Sequence, residues 1–291
     1  MSRIAYVNGR YLPHANAAVH VEDRGFQFAD AVYEVCEVRD GDLIDPTLHF
    51  DRLERSLREL RIAMPMSRAA LLVVFAEVAR RNRVRDGGVY LQISRGEARR
   101  DHAFPDPAVP PTVVLTAKPH DRAKAEAVAA HGIRVVTVPD ERWARVDVKS
   151  VSLLPNCLAK QAAREAGAKE AWLVDANGYV TEGSSTNAWI VDANGTLVTR
   201  PAEFGILRGV TRTVLMKVAA DLGLRVEERA FTVEEAKRAR EAFVTAATTL
   251  VMPVVAIDDA VIGNGMPGST ALALRHAFHD RVERVPLSRN R

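Results

Sequence analysis

Cysteine is scarce in this chain of 291 residues, which contains only Cys36 and Cys157. Two cysteines cannot form the disulfide framework of a small secreted protein, so we expect a reduced, cytoplasmic setting. Long apolar segments are also missing, because no run approaches the ~20 residues of a membrane-spanning helix. The first residues lack a signal-like apolar core, since Glu22, Asp23 and Arg24 soon follow. We therefore expect no membrane association.

Signals for nucleic-acid, nucleotide and metal binding are equally sparse. The net charge is only +3, aromatic residues make up 6%, and basic residues are spread over the chain, which indicates no nucleic-acid surface. The sequence has no GxxxxGK[ST] loop for a nucleoside triphosphate, and we expect no dinucleotide site. Its eight histidines are scattered without an HExxH or CxxC spacing, so we predict no metal site.

The chain is long enough for two domains of about 150 residues each, or for one large domain. Strand pairs joined by tight turns are interspersed with helices, which favours an α+β fold over a doubly wound parallel sheet. Strand signals give way to alanine-rich sequence near residues 118–125. We therefore predict a small N-terminal domain, residues 1–120, and a larger C-terminal domain, residues 121–291.

Turn residues and apolar periodicity predict the elements of the first domain. They are hairpins around Asn8-Gly9 and Asp40-Gly41, helices over 49–62 and 67–84 with a Ser67 cap, and strands over 87–96 and 111–119. A polar, proline-rich loop over 97–110 joins the two strands, and loops of this length tend to be functional or disordered.

The second domain contains a short internal echo. AWLVDANG (171–178) recurs as AWIVDANG (188–195), which indicates two successive hairpins of one sheet, because a repeat protein would need more copies. The other predicted elements are a strand over 133–139 and helices over 209–224, 233–239 and 268–282.

Lysine is rare, since only seven of the 40 basic residues are lysine. One of them, Lys149, stands among valines, leucines and serines in VDVKSVSLLPN (146–156). Lysine differs from arginine because it can lose its proton and become a nucleophilic amine. Spacing alone is more typical of a solvent-facing lysine in a strand.

Two further segments carry polar groups that suit a small-molecule site. Glu182 begins a run of hydroxyl and amide side chains, which is also typical of an ordinary turn. Gly209 precedes a helix whose first turn carries Thr211 and Thr213. Free N–H groups at a helix start attract phosphate, although Gly-Val-Thr is also an ordinary way to begin a helix.

The long loop carries Arg99, Arg100 and His102. An Arg/His pair can hold a substrate carboxylate, whereas the simpler interpretation is a solvated basic loop. The signals become specific only in combination. A nucleophilic amine, a phosphate cradle at a helix start and a carboxylate beside a turn are the groups that hold pyridoxal phosphate.

The sequence resembles the fold-type IV pyridoxal-phosphate enzymes, and within them the D-amino acid aminotransferases. The resemblance covers nearly the whole chain, and the order and spacing of its motifs are specific. The motifs are EDRGFQFADAVYEV (22–35), HFDRL (49–53), RRDHAFP (99–105), RWARVDVKSVSLLPNCLAKQ (142–161), EA (170–171), VTEGSSTN (180–187), LRGVTR (207–212) and FVTAATTLVMPV (243–254).

The resemblance implies pyridoxal phosphate at the interface of two domains, and a homodimer with shared active sites. It implies that Lys149 is the catalytic residue, which binds the cofactor covalently and transfers a proton at the substrate's α-carbon. It also implies that Glu182 faces the pyridine nitrogen. The other implied cofactor-binding positions are Arg52, Leu207, Gly209, Val210, Thr211, Ala247 and Thr248. The implied substrate-binding positions are Tyr33, Val35, Arg100 and His102, with Arg100 and His102 supplied by the neighbouring subunit.

Two positions depart from the family pattern. Ala247 stands where relatives usually have a phosphate-binding threonine, so its backbone N–H or the hydroxyl of Thr248 would take that role. Leu250 stands where glutamate is frequent, and the sequence offers no reason for the change.

The implied function is transamination between a D-amino acid and a 2-oxo acid. Alternatives within the fold are a branched-chain aminotransferase, an (R)-amine transaminase and an aminodeoxychorismate lyase, and the Arg-x-His loop favours the D-amino acid enzyme. A binding protein without activity is disfavoured because both Lys149 and Glu182 are present. The sequence leaves open the preferred D-amino acid, side activity on (R)-amines or L-amino acids, and assembly beyond a dimer.

Overall fold

The computed structural model describes residues 3–203 and 205–287. The chain divides into two compact units. Unit 1 comprises Met1–Asp121, Val148–Ser152 and Glu283–Arg291, and unit 2 comprises Arg122–Asp147 and Leu153–Val282. Over the described residues, no helix is both long and apolar enough to cross a membrane.

Unit 1 is built on a seven-stranded antiparallel sheet. Its strands are β1 (Ile4–Val7), β2 (Arg10–Pro13), β3 (Ala31–Arg39), β4 (Asp42–Ile44), β5 (Gly87–Ser94), β6 (Thr112–Pro119) and β16 (Arg284–Pro286). Their order across the sheet is β16-β4-β3-β5-β6-β1-β2. Its helices are α1 (Arg24–Phe28), α2 (Pro46–Glu59) and α3 (Arg68–Arg81).

The core of unit 1 follows from apolar periodicity. Phe50, Leu53 and Leu57 form the buried face of α2, and they share one hydrophobic cluster with residues of α3 and of the sheet. Along β3, Val32 and Cys36 belong to this cluster, whereas Tyr33 and Val35 alternate with them and are half-buried. The alternation of a strand therefore presents Tyr33 and Val35 on one face.

The predicted hairpins of unit 1 are confirmed. Asn8-Gly9 has φ values of 44° and 87°, and Asp40-Gly41 has φ values of 55° and 92°. Positive φ at both central residues is the geometry of a tight two-residue hairpin turn. The Ser67 cap is also confirmed, because its side chain accepts the N–H of Ala70 at 3.2 Å.

Unit 2 is built on a nine-stranded mixed sheet. Its strands are β7 (Ile133–Pro139), β8 (Glu170–Val174), β9 (Val180–Gly183), β10 (Asn187–Val191), β11 (Leu197–Thr199), β12 (Val226–Glu228), β13 (Glu241–Ala246), β14 (Leu250–Ile257) and β15 (Ala260–Val261). The order is β12-β11-β10-β13-β14-β7-β8-β9, and β15 pairs with β14. Its helices are α4 (Arg122–His131), α5 (Leu154–Glu165), α6 (Val210–Asp221), α7 (Val233–Lys237) and α8 (Ser269–Ala277).

The internal echo is two hairpins of one sheet, as predicted. The first copy runs from β8 into the turn before β9, and the second runs from β10 into the turn before β11. The mixture of helices with largely antiparallel strands confirms the α+β prediction.

Two parts of the prediction differ from the structure. Helix α5 has no counterpart in the predicted elements, although Pro155 in its first turn is a known start signal. The helix predicted over 268–282 ends as an α-helix at Ala277 and continues as one 3-10 turn, Phe278–Asp280.

Candidate active site

Lys149 lies in unit 1, on an extended segment beside β3. Its carbonyl accepts the N–H of Tyr33 at 3.0 Å, and its own N–H donates to Oγ of Ser56 at 3.2 Å. Two residues on, the N–H of Val151 donates to the carbonyl of Ala31 at 3.0 Å. These bonds fix the backbone on both sides of a half-buried side chain.

The position of this segment corrects the predicted domain division, which places the lysine in the C-terminal domain. Val148–Ser152 belongs to unit 1 because its backbone hydrogen bonds run to β3 and the Val148 side chain lies in the unit 1 core. The chain leaves unit 1 after Asp121 and returns for five residues.

The side chain of Lys149 faces an aromatic pair. Its Nζ lies 4.1 Å from the ring centroid of Tyr33, which stacks on Tyr90 with centroids 5.7 Å apart. The Tyr90 hydroxyl donates to Oε1 of Gln92 at 2.7 Å. Burial, with a smaller contribution from Tyr33, raises the pKa of Tyr90 to about 12. Tyr90 therefore stays neutral and keeps its proton for this hydrogen bond.

Arg52 is anchored by a buried carboxylate, that of Glu34. Its Nε and Nη2 each donate to one oxygen of Glu34 at 2.7 Å, and Nδ1 of His49 lies 2.7 Å from the same carboxylate. Burial raises the pKa of Glu34, but Arg52 and then His49 outweigh it and hold the pKa at about 2. Burial lowers the pKa of His49, so its imidazole is neutral and its Nδ1–H donates.

Arg100 and His102 lie on the loop between β5 and β6, and both side chains are exposed. They converge on one aromatic ring. The guanidinium carbon of Arg100 is 5.0 Å from the centroid of Phe28, and the His102 ring is 5.4 Å from it. The structure thus brings the two predicted carboxylate-binding side chains together within unit 1.

In unit 2, Glu182 ends its strand as a carboxylate held by several donors. Nη1 of Arg142 makes a very short ion pair with Oε1. Nδ2 of Asn187 donates to Oε2 at 3.0 Å, and the N–H of Leu207 donates to the same oxygen at 3.2 Å. Hydrogen bonds donated to a carboxylate favour its ionised form. The geometry therefore presents a fixed negative charge.

Arg142 is itself fixed by a second carboxylate. Its Nε donates to Asp140 at 2.8 Å and its Nη2 donates to the other oxygen at 2.7 Å. Burial alone lowers the pKa of Arg142, but the carboxylates of Asp140 and Glu182 outweigh burial and raise that pKa. Arg142 is charged at any pH of interest and cannot take the proton of a neighbouring group.

The start of α6 adjoins Glu182 through Asn187. Gly209 is the N-cap and has no side chain to cap the helix, and both Val210 and Thr211 are buried. A Cβ at Gly209 would overlap Oδ1 of Asn187, whose Nδ2 also donates to the carbonyl of Leu207 at 2.9 Å. A glycine at this position thus lets Asn187 link Glu182, Leu207 and the helix start.

Ala247 and Thr248 lie in the turn between β13 and β14. Ala247 is half-buried and Thr248 is exposed. The hydroxyl of the next residue, Thr249, is buried and has no hydrogen-bond partner among the described residues. Leu250 follows with a φ of 55°. The turn therefore offers a second hydroxyl, which the sequence analysis did not consider.

A glycine spacing in unit 2 corrects one detail of the sequence analysis. Residues 263–268, GNGMPG, have the GxGxxG pattern of dinucleotide-binding turns and precede α8. However, the Glu241 carboxylate accepts the N–H groups of Thr270 and Ala271 at 3.1 and 2.9 Å. Because a carboxylate of the protein already occupies this helix start, a pyrophosphate has no place there.

Several site residues received no role in the sequence analysis. They are Glu34, His49, Arg142 and Asn187. All four lie within the quoted motifs that carry the family resemblance. A usable signal existed for Glu34, because a charged residue on the apolar face of an alternating strand needs a buried partner.

A model of the amino-transferase class IV family matches residues 31–257. The chain belongs to the class IV aminotransferase family. This aminotransferase is 37% identical over 278 residues to a D-alanine aminotransferase of Staphylococcus haemolyticus, an alignment that covers 96% of this chain and 97% of that protein. It is 38% identical over 275 residues to a D-alanine aminotransferase of Bacillus licheniformis, covering 94% and 95% of the two chains.

A solved structure shares the fold of this aminotransferase. It is a branched-chain amino acid aminotransferase with pyridoxamine 5'-phosphate, from the organism abbreviated T.th., and it aligns with a TM-score of 0.87 and 28% identity. The alignment covers 96% of this chain and 94% of that chain. It confirms the fold-type IV architecture expected from the motifs.

Proposed function

We propose that this aminotransferase uses pyridoxal phosphate to transfer the amino group of a D-amino acid to a 2-oxo acid. The observation that carries the proposal is Lys149, a half-buried amine whose backbone is fixed on both sides and whose Nζ lies over the Tyr33 ring. The relatives named D-alanine aminotransferase, at 37% and 38% identity, support the substrate class. The solved relative with pyridoxamine 5'-phosphate supports the cofactor.

The described residues fit the phosphate of this cofactor. Helix α6 begins at a glycine that offers no side-chain cap, so the N–H groups of Val210 and Thr211 suit an anion. The orphaned hydroxyl of Thr249 and the N–H of Ala247 lie on a turn that suits the same role. Arg52, anchored by Glu34, would supply the positive charge.

The same residues fit the rest of the cofactor. Glu182 would hold a proton on the pyridine nitrogen, Leu207 would pack on the ring, and Lys149 would attach to the aldehyde carbon. Bound pyridoxal phosphate supplies an electron sink that stabilises negative charge at the substrate's α-carbon. Nζ of Lys149 then accepts the proton that leaves the α-carbon, as a general base. Arginine could not do so because it stays protonated.

The substrate carboxylate would bind Arg100 and His102, with Tyr33 completing the site and Val35 bordering the substrate side chain. An arginine fork and a second donor suit a carboxylate. We propose further that the loop with Arg100 and His102 acts on the neighbouring subunit of a homodimer. The free thiols of Cys36 and Cys157 support a reduced, cytoplasmic setting.

Replacing Lys149 tests the proposal. We expect Lys149→Ala to lower the rate of pyruvate formation from D-alanine and 2-oxoglutarate by a factor of about 10³ or more, because no other group takes the α-proton. Lys118→Ala, at an exposed lysine of β6, is the matched control and should keep the wild-type rate. Substantial turnover by the Lys149 variant would contradict the assignment.

A further inference from the structure

Arg24 is a buried arginine that the proposed chemistry leaves without a role. It is the first residue of α1 and is only 3% exposed. Its Nε donates to Oδ2 of Asp30 at 2.8 Å, and the same carboxylate takes two hydrogen bonds from Arg95 at 2.7 and 2.9 Å. Asp30 therefore fixes the near side of the Arg24 guanidinium.

The far side of this guanidinium meets the backbone of the substrate loop. Its Nη1 donates to the carbonyl of Asp101 at 2.6 Å and to that of Ala103 at 3.2 Å. Its Nη2 donates to the carbonyl of His102 at 3.4 Å. Three consecutive carbonyls thus converge on one buried cation, and the central one belongs to His102.

Ring contacts continue the same connection to the side chains. The Arg24 guanidinium carbon lies 4.8 Å from the centroid of Phe28, on the ring that also contacts Arg100 and His102. Arg95 lies 3.5 Å from the centroid of Phe104, two residues past His102. The backbone and the rings of the loop are therefore both held by the Arg24 cluster, which consists of Arg24, Asp30 and Arg95.

We propose that Arg24 is a positioning residue for recognition of the substrate carboxylate, because it sets the backbone of the loop that presents Arg100 and His102. This inference rests on the proposed function. Charge alone does not suffice for the role. A planar guanidinium can reach Asp30 and three carbonyls at once, whereas the ammonium of a lysine is a single point with three donors.

Two substitutions separate position from charge. Arg24→Lys keeps a cation beside Asp30 and loses the fork, and Arg24→Gln loses both. Arg100→Ala removes the proposed carboxylate ligand itself. Arg85→Gln is the control, because Arg85 is an exposed arginine that donates to a backbone carbonyl, that of Asp40, in another turn. Melting temperature and pyridoxal-phosphate content establish that each holoenzyme is folded and loaded.

The readouts are KM and kcat for D-alanine, and the rate of tryptic cleavage after Arg99 or Arg100, identified by fragment mass. We expect both Arg24 variants to raise KM for D-alanine about tenfold, the loss of one charge-assisted hydrogen bond or more, with kcat within about twofold. Tryptic cleavage of the loop should be faster in both, because its backbone has lost its anchor. Arg85→Gln should match wild type in all three.

Two outcomes overturn the inference in distinguishable ways. If Arg100→Ala raises KM for D-alanine while Arg24→Lys and Arg24→Gln leave KM and cleavage at wild-type values, the role of Arg24 is wrong and the proposed function stands. If Arg100→Ala itself leaves KM unchanged, the proposed carboxylate site is wrong, and the role of Arg24 falls with it. Should Arg24→Gln fail to fold, Arg24→Lys decides, because it retains the pair with Asp30.

Discussion

Glu34 shows how one buried residue couples stability to cofactor chemistry. Its carboxylate is fully buried and accepts hydrogen bonds from Arg52 and His49. It binds no substrate in our account, yet it determines where the Arg52 guanidinium lies. A buried ion pair of this kind does little for net stability compared with apolar residues, but loss of one partner leaves an uncompensated charge.

The pH dependence of Glu34 has a definite sign. Its folded pKa of about 2 lies below the ordinary 4.5, so its contribution is present above pH 4.5 and is lost as the pH falls toward 2. The difference corresponds to about 3 kcal/mol. His49, whose pKa is lowered from 6.5 by burial, also destabilises the fold as the pH falls below 6.5, because the unfolded chain takes up the proton more readily.

We expect Glu34→Gln to lower the free energy of unfolding at pH 7 by about 3 kcal/mol and to flatten its dependence on pH between 4.5 and 2. Urea denaturation at several pH values measures both. Glu77→Gln is the matched control, because Glu77 also has a pKa of about 2 but pairs with the exposed Arg80. Solvent screens that pair, so its loss should cost less than about 1 kcal/mol. Equal effects would contradict the account.

Residue types at the site were largely predictable, whereas their partners were not. Lys149 and Glu182 stand out in the sequence because a lysine among apolar residues and a carboxylate before a hydroxyl run are unusual. The partner of Glu182, Arg142, lies 40 residues away along the chain. Local pattern contains no information about such a pair. The buried hydroxyl of Thr249, next to the expected Thr248, likewise depends on how the turn is oriented.

At the scale of elements, the start of α6 is determined by the packing of one glycine. Gly209 has a φ of −66°, which any residue can adopt, so its requirement is not conformational. The requirement is steric, because a Cβ would overlap the amide of Asn187. Asn187 in turn donates to Glu182 and to the carbonyl of Leu207.

We therefore expect Gly209→Ala to leave α6 folded and to weaken binding of pyridoxal phosphate about tenfold, because Asn187 must move and Glu182 loses a donor. Titration of the apoenzyme, followed by absorbance, gives the dissociation constant. Gly88→Ala in β5 provides the comparison, since a Cβ there meets its nearest atom at 3.5 Å, an ordinary contact. An unchanged dissociation constant for Gly209→Ala would rule out this role for Asn187.

Elements defined by local pattern were predicted well. The hairpins need only two turn residues with positive φ, and α2 and α3 need only an apolar stripe, so both types are visible in short windows of sequence. The segment Val148–Ser152 is different. It joins unit 1 through backbone bonds to β3, which lies far earlier in the chain, and no periodicity within so short a segment reports such a pairing.

At the scale of the whole molecule, the proposed exchange of loops between subunits predicts complementation. Chains with Lys149→Ala and chains with Arg100→Ala should each be poor enzymes at low D-alanine. In a mixed dimer, the site with the intact lysine would receive the intact loop of the other chain. We expect about half of the wild-type turnover per dimer, with a wild-type KM. If the loop served its own chain, no site would be complete and activity would not return.

The control for this experiment pairs Lys149→Ala with Tyr33→Ala. The two side chains contact each other within one chain, with Nζ 4.1 Å from the ring centroid. Exchange of loops cannot repair that site, so mixed dimers of these two variants should stay inactive. Recovery in both mixtures would point to reassortment of whole sites rather than to a shared loop.

The most direct test of the central claim is the visible absorption spectrum of the purified protein, recorded before and after addition of D-alanine. Our account predicts a yellow band from pyridoxal phosphate attached to Lys149, and it predicts that D-alanine bleaches this band whereas L-leucine does not. A band that responds to L-leucine and ignores D-alanine would contradict the D-amino acid assignment. No band, even after addition of pyridoxal phosphate, would contradict the cofactor assignment as well.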